Sequence, residues 1–171
     1  MALAGLLLIG ASHPVMAQSL KDAQASYDVR NYDEAIATLR NMLSNKKKND
    51  KAHYLLGMAL KHKGQMDEAL SEFLIAVKQQ KKNHGARYEL GILQTEKKQF
   101  EEATKTLAEG LKRTKEKEPR FFYAQGQLAI AQNDIKNAMV LLNRARVEQP
   151  DNPLFLMGLG DLYAAQKVWG L

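Results

Sequence analysis

The stretch Leu56-Gly57-Met58-Ala59-Leu60-Lys61-His62-Lys63-Gly64-Gln65-Met66-Asp67-Glu68-Ala69-Leu70-Ser71-Glu72-Phe73 decides the fold, because its landmarks return along the rest of the chain. Gly57 belongs to a series of small residues, Ala23, Gly57, Gly91, Gly126 and Gly160, spaced 34, 34, 35 and 34 residues apart. Nine residues on, Met66 belongs to the bulky series Tyr32, Met66, Phe100, Ile135 and Trp169. Twelve on stand Ala35, Ala69, Ala103 and Ala138, sixteen on Leu39, Phe73, Leu107 and Leu142, and nineteen on Met42, Ala76, Gly110 and Ala145. Several sites holding one register of this length are the signature of stacked repeats.

The spacing is that of a helical hairpin. Small side chains at Gly57 and Ala69 let two successive helices approach, the bulky residue between them closes the turn, and Phe73 fills the space beyond. One hairpin leaves an apolar face uncovered, so it needs a neighbour. Asn31, Lys63-Gly64-Gln65 and Asn133-Asp134 supply turn chemistry inside the repeats, and Pro150-Asp151-Asn152-Pro153 supplies it between repeats. There Asn152 is placed to cap the next helix, with Pro153 in the first turn where proline is best tolerated. Glu118-Pro119 marks the place where the period stretches to 35.

Leu56-Gly57 with Met66, Ala69 and Phe73 resembles the tetratricopeptide repeat, as do Leu90-Gly91 with Phe100, Ala103 and Leu107, and Gly126 with Ile135, Ala138, Leu142, Ala145 and Pro150. The first copy departs from the pattern, with Asp22-Ala23 in place of Leu-Gly. The closing proline occurs once, and His53, Arg87, Phe122 and Leu156 stand where the family often has tryptophan. The resemblance implies an all-α, right-handed superhelical solenoid of antiparallel helix pairs. It divides the chain into an unusual repeat at 18–49, repeats at 50–83, 84–118 and 119–152, and the first helix of a truncated repeat at 153–171. Because the last copy stops at Trp169-Gly170-Leu171, the chain is expected to be a fragment of a longer protein.

Composition bounds the rest. A chain of 171 residues with 45% apolar and 26% charged content buries one core and is rich in helix-forming Leu, Ala, Lys, Gln and Glu. The absence of cysteine removes disulfides, thiolate metal sites and a thiol nucleophile. Residues 1–17 are expected to be a secretory signal: Ala2 to Ala11 is uncharged and apolar, Pro14 breaks the run, and Val15-Met16-Ala17 offers a cleavage site, although basic residues before the run are missing. The run is too short to span a bilayer core of about 30 Å. A mature chain would then begin near Gln18.

In the family, first helices line a concave groove that takes up peptides or partner helices. Carried onto this sequence, the partner-binding groove consists of Tyr54, Tyr88 and Tyr123, three residues before each glycine; Met58, Ile92 and Gln127, one after; and Lys61, Thr95 and Ile130, four after. Such a surface suits an extended or helical peptide, and the tyrosines have a second reading as packing between repeats. The Lys and Asn that some family members use to hold a C-terminal carboxylate are not at these positions.

A basic ridge recurs with the same period: Lys46, Lys47 and Lys48, then Lys81 and Lys82, then Lys112, Arg113, Lys115 and Lys117. With a net charge of +6 it could draw an acidic protein or an anionic envelope surface, or it could simply offset helix dipoles. Nucleic acid is disfavoured because no aromatics interleave the lysines.

Catalytic signatures are missing. His53, His62 and His84 have no partner at metal-ligand spacing, no phosphate loop or nucleophile elbow exists, and Glu101-Glu102 and Asp33-Glu34 open second helices, where the dipole favours acids. Neither metal nor cofactor is expected. The sequence therefore reads as a non-catalytic protein-binding scaffold of the cell envelope, with the periplasm as its address. Two alternatives remain: the targeting arm of a larger envelope enzyme or export and assembly machine whose working domain lies beyond residue 171, or a cytoplasmic adaptor.

Overall fold

The computed structural model describes residues 19–45 and 48–166; the expected signal at 1–17, Lys46, Lys47 and Trp169 lie outside them. Within the described residues the chain is helical throughout, running α1 (Leu20–Asp28), α2 (Tyr32–Asn45), α3 (Asp50–His62), α4 (Met66–Gln79), α5 (His84–Glu96), α6 (Phe100–Thr114), α7 (Pro119–Ala131), α8 (Ile135–Glu148) and α9 (Pro153–Ala165). Odd-numbered helices are the first of each pair and even-numbered helices the second. Every helix packs on the next, and first helices also touch one another, α1 on α3, α5 on α7 and α7 on α9. This is the solenoid the periodicity calls for, with first helices forming one wall.

Packing within a pair turns on the glycine series. A Cβ on Gly57 would stand 2.6 Å from the fully buried ring of Phe73, and one on Gly126 would stand 2.6 Å from Leu142; Gly91 is covered in the same way by Leu107. The opposing Ala35, Ala69, Ala103 and Ala138 are fully buried. Two hydrophobic clusters result among the described residues. One runs from α1 to Leu90 and Leu93 of α5, the other from Tyr88 of α5 to Phe155 and Leu162 of α9, so α5 carries the seam from one to the next.

Turns repeat as faithfully as cores. Backbone φ is positive at Arg30, Gly64, Lys98 and Asn133, the same position in four successive hairpins. Only Gly64 and Asn133 are residue types that favour that region. The stretched period has a structural cause: Lys115 and Glu116 are both left-handed, and this pair absorbs the extra residue before Pro119. Asn49, Asn83 and Asn152 accept hydrogen bonds from the first turns of α3, α5 and α9, and Pro153 occupies the first turn of α9.

Ion pairs follow the period too. Lys63 meets Asp33 at 3.0 Å and Lys97 meets Asp67 at 2.5 Å, each joining the end of a first helix to the start of the preceding second helix.

Candidate partner-binding groove

The tyrosine series shows how the wall is built. Tyr54 is half-buried, and its ring lies against Gly85 at the start of α5, where a Cβ would come within 3.2 Å of it. Tyr88 is 8% exposed, with Phe121 edge-on at 6.2 Å and the Arg120 guanidinium 5.2 Å from its ring centroid. Tyr123 is 7% exposed and packs on Phe155 and Gly158. Each ring thus wedges between its own first helix and the next. Tyr88 and Tyr123 are therefore largely covered by the neighbouring helices, in keeping with packing between repeats, while Tyr54 stays partly open.

Electrostatics reflect this embedding. Burial pushes the phenols of Tyr54, Tyr88 and Tyr123 above their ordinary value, helped at Tyr54 and Tyr88 by the Glu89 carboxylate and at Tyr123 by Asp161 and Glu96, while a hydrogen bond with Gln127 works against the rise at Tyr123. Tyr123 therefore stays protonated and polar at neutral pH.

The remaining groove candidates divide by position. Lys61, from the last turn of α3, reaches Glu89 of α5 at 2.8 Å, so its charge is spent on a partner inside the wall. Met58 is half-buried against the α1–α5 core. Thr95 is 7% exposed and its hydroxyl donates to the Gly91 carbonyl at 2.9 Å. Ile92, Thr95, Tyr123, Gln127 and Ile130 do come together: they line one cavity of about 430 Å³ between α5, α7 and α9.

Five further residues line the cavity that the groove reading of the sequence does not name: Glu96, Lys98, Phe100, Ala131 and Asp161. Asp161 is the residue after Gly160 and so continues the series Met58, Ile92, Gln127 by one more repeat; that extension was the available signal. Phe100 belongs to the turn-closing series, yet it also faces this cavity.

The basic residues sit elsewhere. Lys48, Lys81, Lys82, Lys112, Lys115 and Lys117 are exposed at the ends of second helices or in the turns that follow, and Arg113 is held by Glu109 at 2.6 Å. Among the histidines, His53 is buried with Nδ1 2.6 Å from Glu72, a carboxylate partner that only the fold supplies, and His62 stacks on Tyr32 at 4.7 Å. Among the described residues no three His, Asp or Glu side chains gather as a metal site, and no helix is long and apolar enough to cross a membrane.

The wall, its cavity and its repeat can be set beside known proteins. A family model described as tetratricopeptide repeat matches residues 20–84 and 123–168, more than half of the chain. Among solved structures, MamA from Desulfovibrio magneticus superposes with a TM-score of 0.73 at 18% identity, covering 86% of this chain and 83% of that one. A tetratricopeptide repeat protein from Parabacteroides merdae gives 0.79 at 18% identity over 86% of this chain and 57% of its own. YrrB, described as having an unusual peptide-binding site, gives 0.68 at 18% identity over 88% and 77%. At such identities the likeness concerns the fold. A search of curated protein sequences gives no match.

Proposed function

Because the chain belongs to the tetratricopeptide repeat family, a family of protein-interaction scaffolds, we propose that it is a non-catalytic adaptor holding a peptide or helix of a partner protein along the wall of first helices. The observation that carries this reading is the cavity between α5, α7 and α9, where half-buried Ile92 and Ile130 stand beside the polar atoms of Thr95, Tyr123 and Gln127. An apolar floor with a few oriented polar groups is the usual make-up of a peptide site. YrrB, similar in fold, is described as binding peptide, and the same use of the wall is proposed here.

We place the scaffold in the cell envelope, on the support of the apolar, uncharged run from Ala2 to Ala11 and the small residue at Ala17. A mature amino terminus near Gln18, read by mass spectrometry of the native protein, is the expected outcome; an intact Met1 in the cell makes the chain a cytoplasmic adaptor instead.

Since Tyr88 and Tyr123 are embedded between helices, replacing them would test stability as much as binding. The groove is better tested by placing the photocrosslinker benzoylphenylalanine at half-buried Ile130 and, as a control, at Val140, which is 64% exposed on the second helix α8. Irradiation of cells is expected to give a defined adduct from position 130 and none from 140. Equal adducts from both, or none from either, would end the reading. A reading frame with a catalytic motif after residue 171 would recast the repeats as a targeting arm.

A further inference from the structure

We propose that the cavity between α5, α7 and α9 selects a lysine or arginine side chain of the partner segment, seating its methylene stem on Ile92, Ile130 and Phe100 and its cationic head between Glu96 and Asp161. The inference rests on the groove reading above and adds the chemistry of its occupant.

The two carboxylates carry it. Asp161 is exposed on α9 and accepts one hydrogen bond, from Gln127 Nε2 at 3.0 Å, which leaves most of its acceptor capacity open. Glu96, exposed at the end of α5, makes no hydrogen bond or ion pair among the described residues. Both line the same cavity as the Tyr123 ring, and both raise the proton affinity of its phenol. Glu89, another carboxylate on α5, is different: Lys61 already holds it at 2.8 Å.

The site is oriented before any partner arrives. Gln127 on α7 donates to Asp161 on α9 at 3.0 Å, which holds that carboxylate beside the cavity. A carboxylate beside apolar side chains gains more from a cation than one in open water, because the local dielectric is lower. Lysine and arginine suit such a place, since their stems cover apolar surface while the head stays at the charged rim. Lys98 also lines the cavity and makes no ion pair among the described residues. Counting Glu96 and Asp161 against Lys98 leaves one negative charge in excess, on a chain whose net charge is +6. The global charge would draw acidic partners, but the cavity selects locally for the opposite sign.

A random dodecapeptide library displayed on phage, panned against the immobilised full chain, tests this directly. Lys or Arg is expected to enrich at one register on the order of tenfold over its library frequency. Panning on the Glu96→Gln/Asp161→Asn variant, whose exposed substitutions leave the core untouched and whose helicity is checked by circular dichroism, is expected to abolish that preference. Enriched peptides without a basic register would overturn the inference and leave the groove intact. A basic preference that survives in the double variant would overturn the cavity assignment, and a library that enriches nothing would overturn both.

Discussion

Three glycines in one register of the repeat show why a single residue can carry a fold. Gly57 and Gly126 lie so close to Phe73 and Leu142 that a methyl group would overlap buried atoms at 2.6 Å, whereas Gly160, in the same register on α9, has nothing within 4 Å among the described residues. Alanine normally favours a helix over glycine by about 1 kcal/mol, while overpacking a tight core costs about 1–3 kcal/mol. The two effects compete at Gly126, and the clash wins because Leu142 is fully buried and its side chain also lies 3.0 Å from where a Cβ on Gly158 would stand. Gly126→Ala is therefore expected to lower stability by about 1 kcal/mol, and Gly160→Ala to leave it unchanged or raise it by up to about 1 kcal/mol. Urea denaturation followed by far-ultraviolet circular dichroism checks the sign of each. A stabilised Gly126→Ala would show that the pair packs less tightly than the geometry has it.

At the scale of helices, the start of α5 is held from two directions. The Asn83 side chain accepts a hydrogen bond from the Ala86 N–H at 3.0 Å and donates through Nδ2 to Asp50 at the start of α3, also at 3.0 Å. Asn49 makes the corresponding cap on α3, to the Ala52 N–H at 3.1 Å. Loss of such a cap costs about 1 kcal/mol, so Asn49→Ala and Asn83→Ala share that term and Asn83→Ala also releases the tie between α3 and α5. The expected order in urea midpoint is wild type, Asn83→Ser, Asn83→Ala, since serine keeps the cap and gives up the tie. Equal midpoints for serine and wild type would mean the tie to Asp50 contributes nothing. The position where the family often has tryptophan shows the same interchange of means. His53 meets Glu72 on α4, and Phe122 takes the Arg144 guanidinium of α8 at 4.1 Å from its ring centroid. Arg87 is buried with a hydrogen bond to the Lys81 carbonyl at 3.4 Å, and burial lowers its proton affinity. At His53 and Phe122 the position thus joins a first helix to its second by different chemistries, whereas Arg87 reaches back to the turn before its own helix.

For the molecule as a whole, stability is a sum of pairs and of the contacts between neighbouring pairs, and the tyrosine wedges belong to those contacts. Their protons link stability to pH. The folded values of Tyr54, Tyr88 and Tyr123 lie above the ordinary 10.0. The folded chain thus keeps protons that the unfolded chain releases above about pH 10, and the stability this contributes is complete below that pH and lost as pH rises through the raised folded values. The urea midpoint is expected to fall steeply above about pH 10, and Tyr88→Phe, which has no proton to lose, to fall less steeply. A variant that tracks the wild type across that range would remove Tyr88 from the alkaline transition.

The sequence alone determined the repeat, because a period of 34 residues is a one-dimensional property and each landmark in it has a local physical meaning: a small residue for helix approach, a bulky one to close the turn, an asparagine before a proline to start a helix. Those readings lead to helix pairs, to their stacking and to the wall of first helices. The same period also placed Asp161 one step beyond Gln127, although nothing in the spacing said that Gln127 would bind it. Tertiary structure decided how each wall residue is spent. It buried the rings of Tyr88 and Tyr123 between neighbouring helices, committed Lys61 to Glu89, and left Glu96 and Asp161 facing a cavity. The physical reason is that exposure and pairing depend on helix rotation and on side chains about one repeat away. A register tells which residues share a face, while only packing tells which of them remain open to a partner.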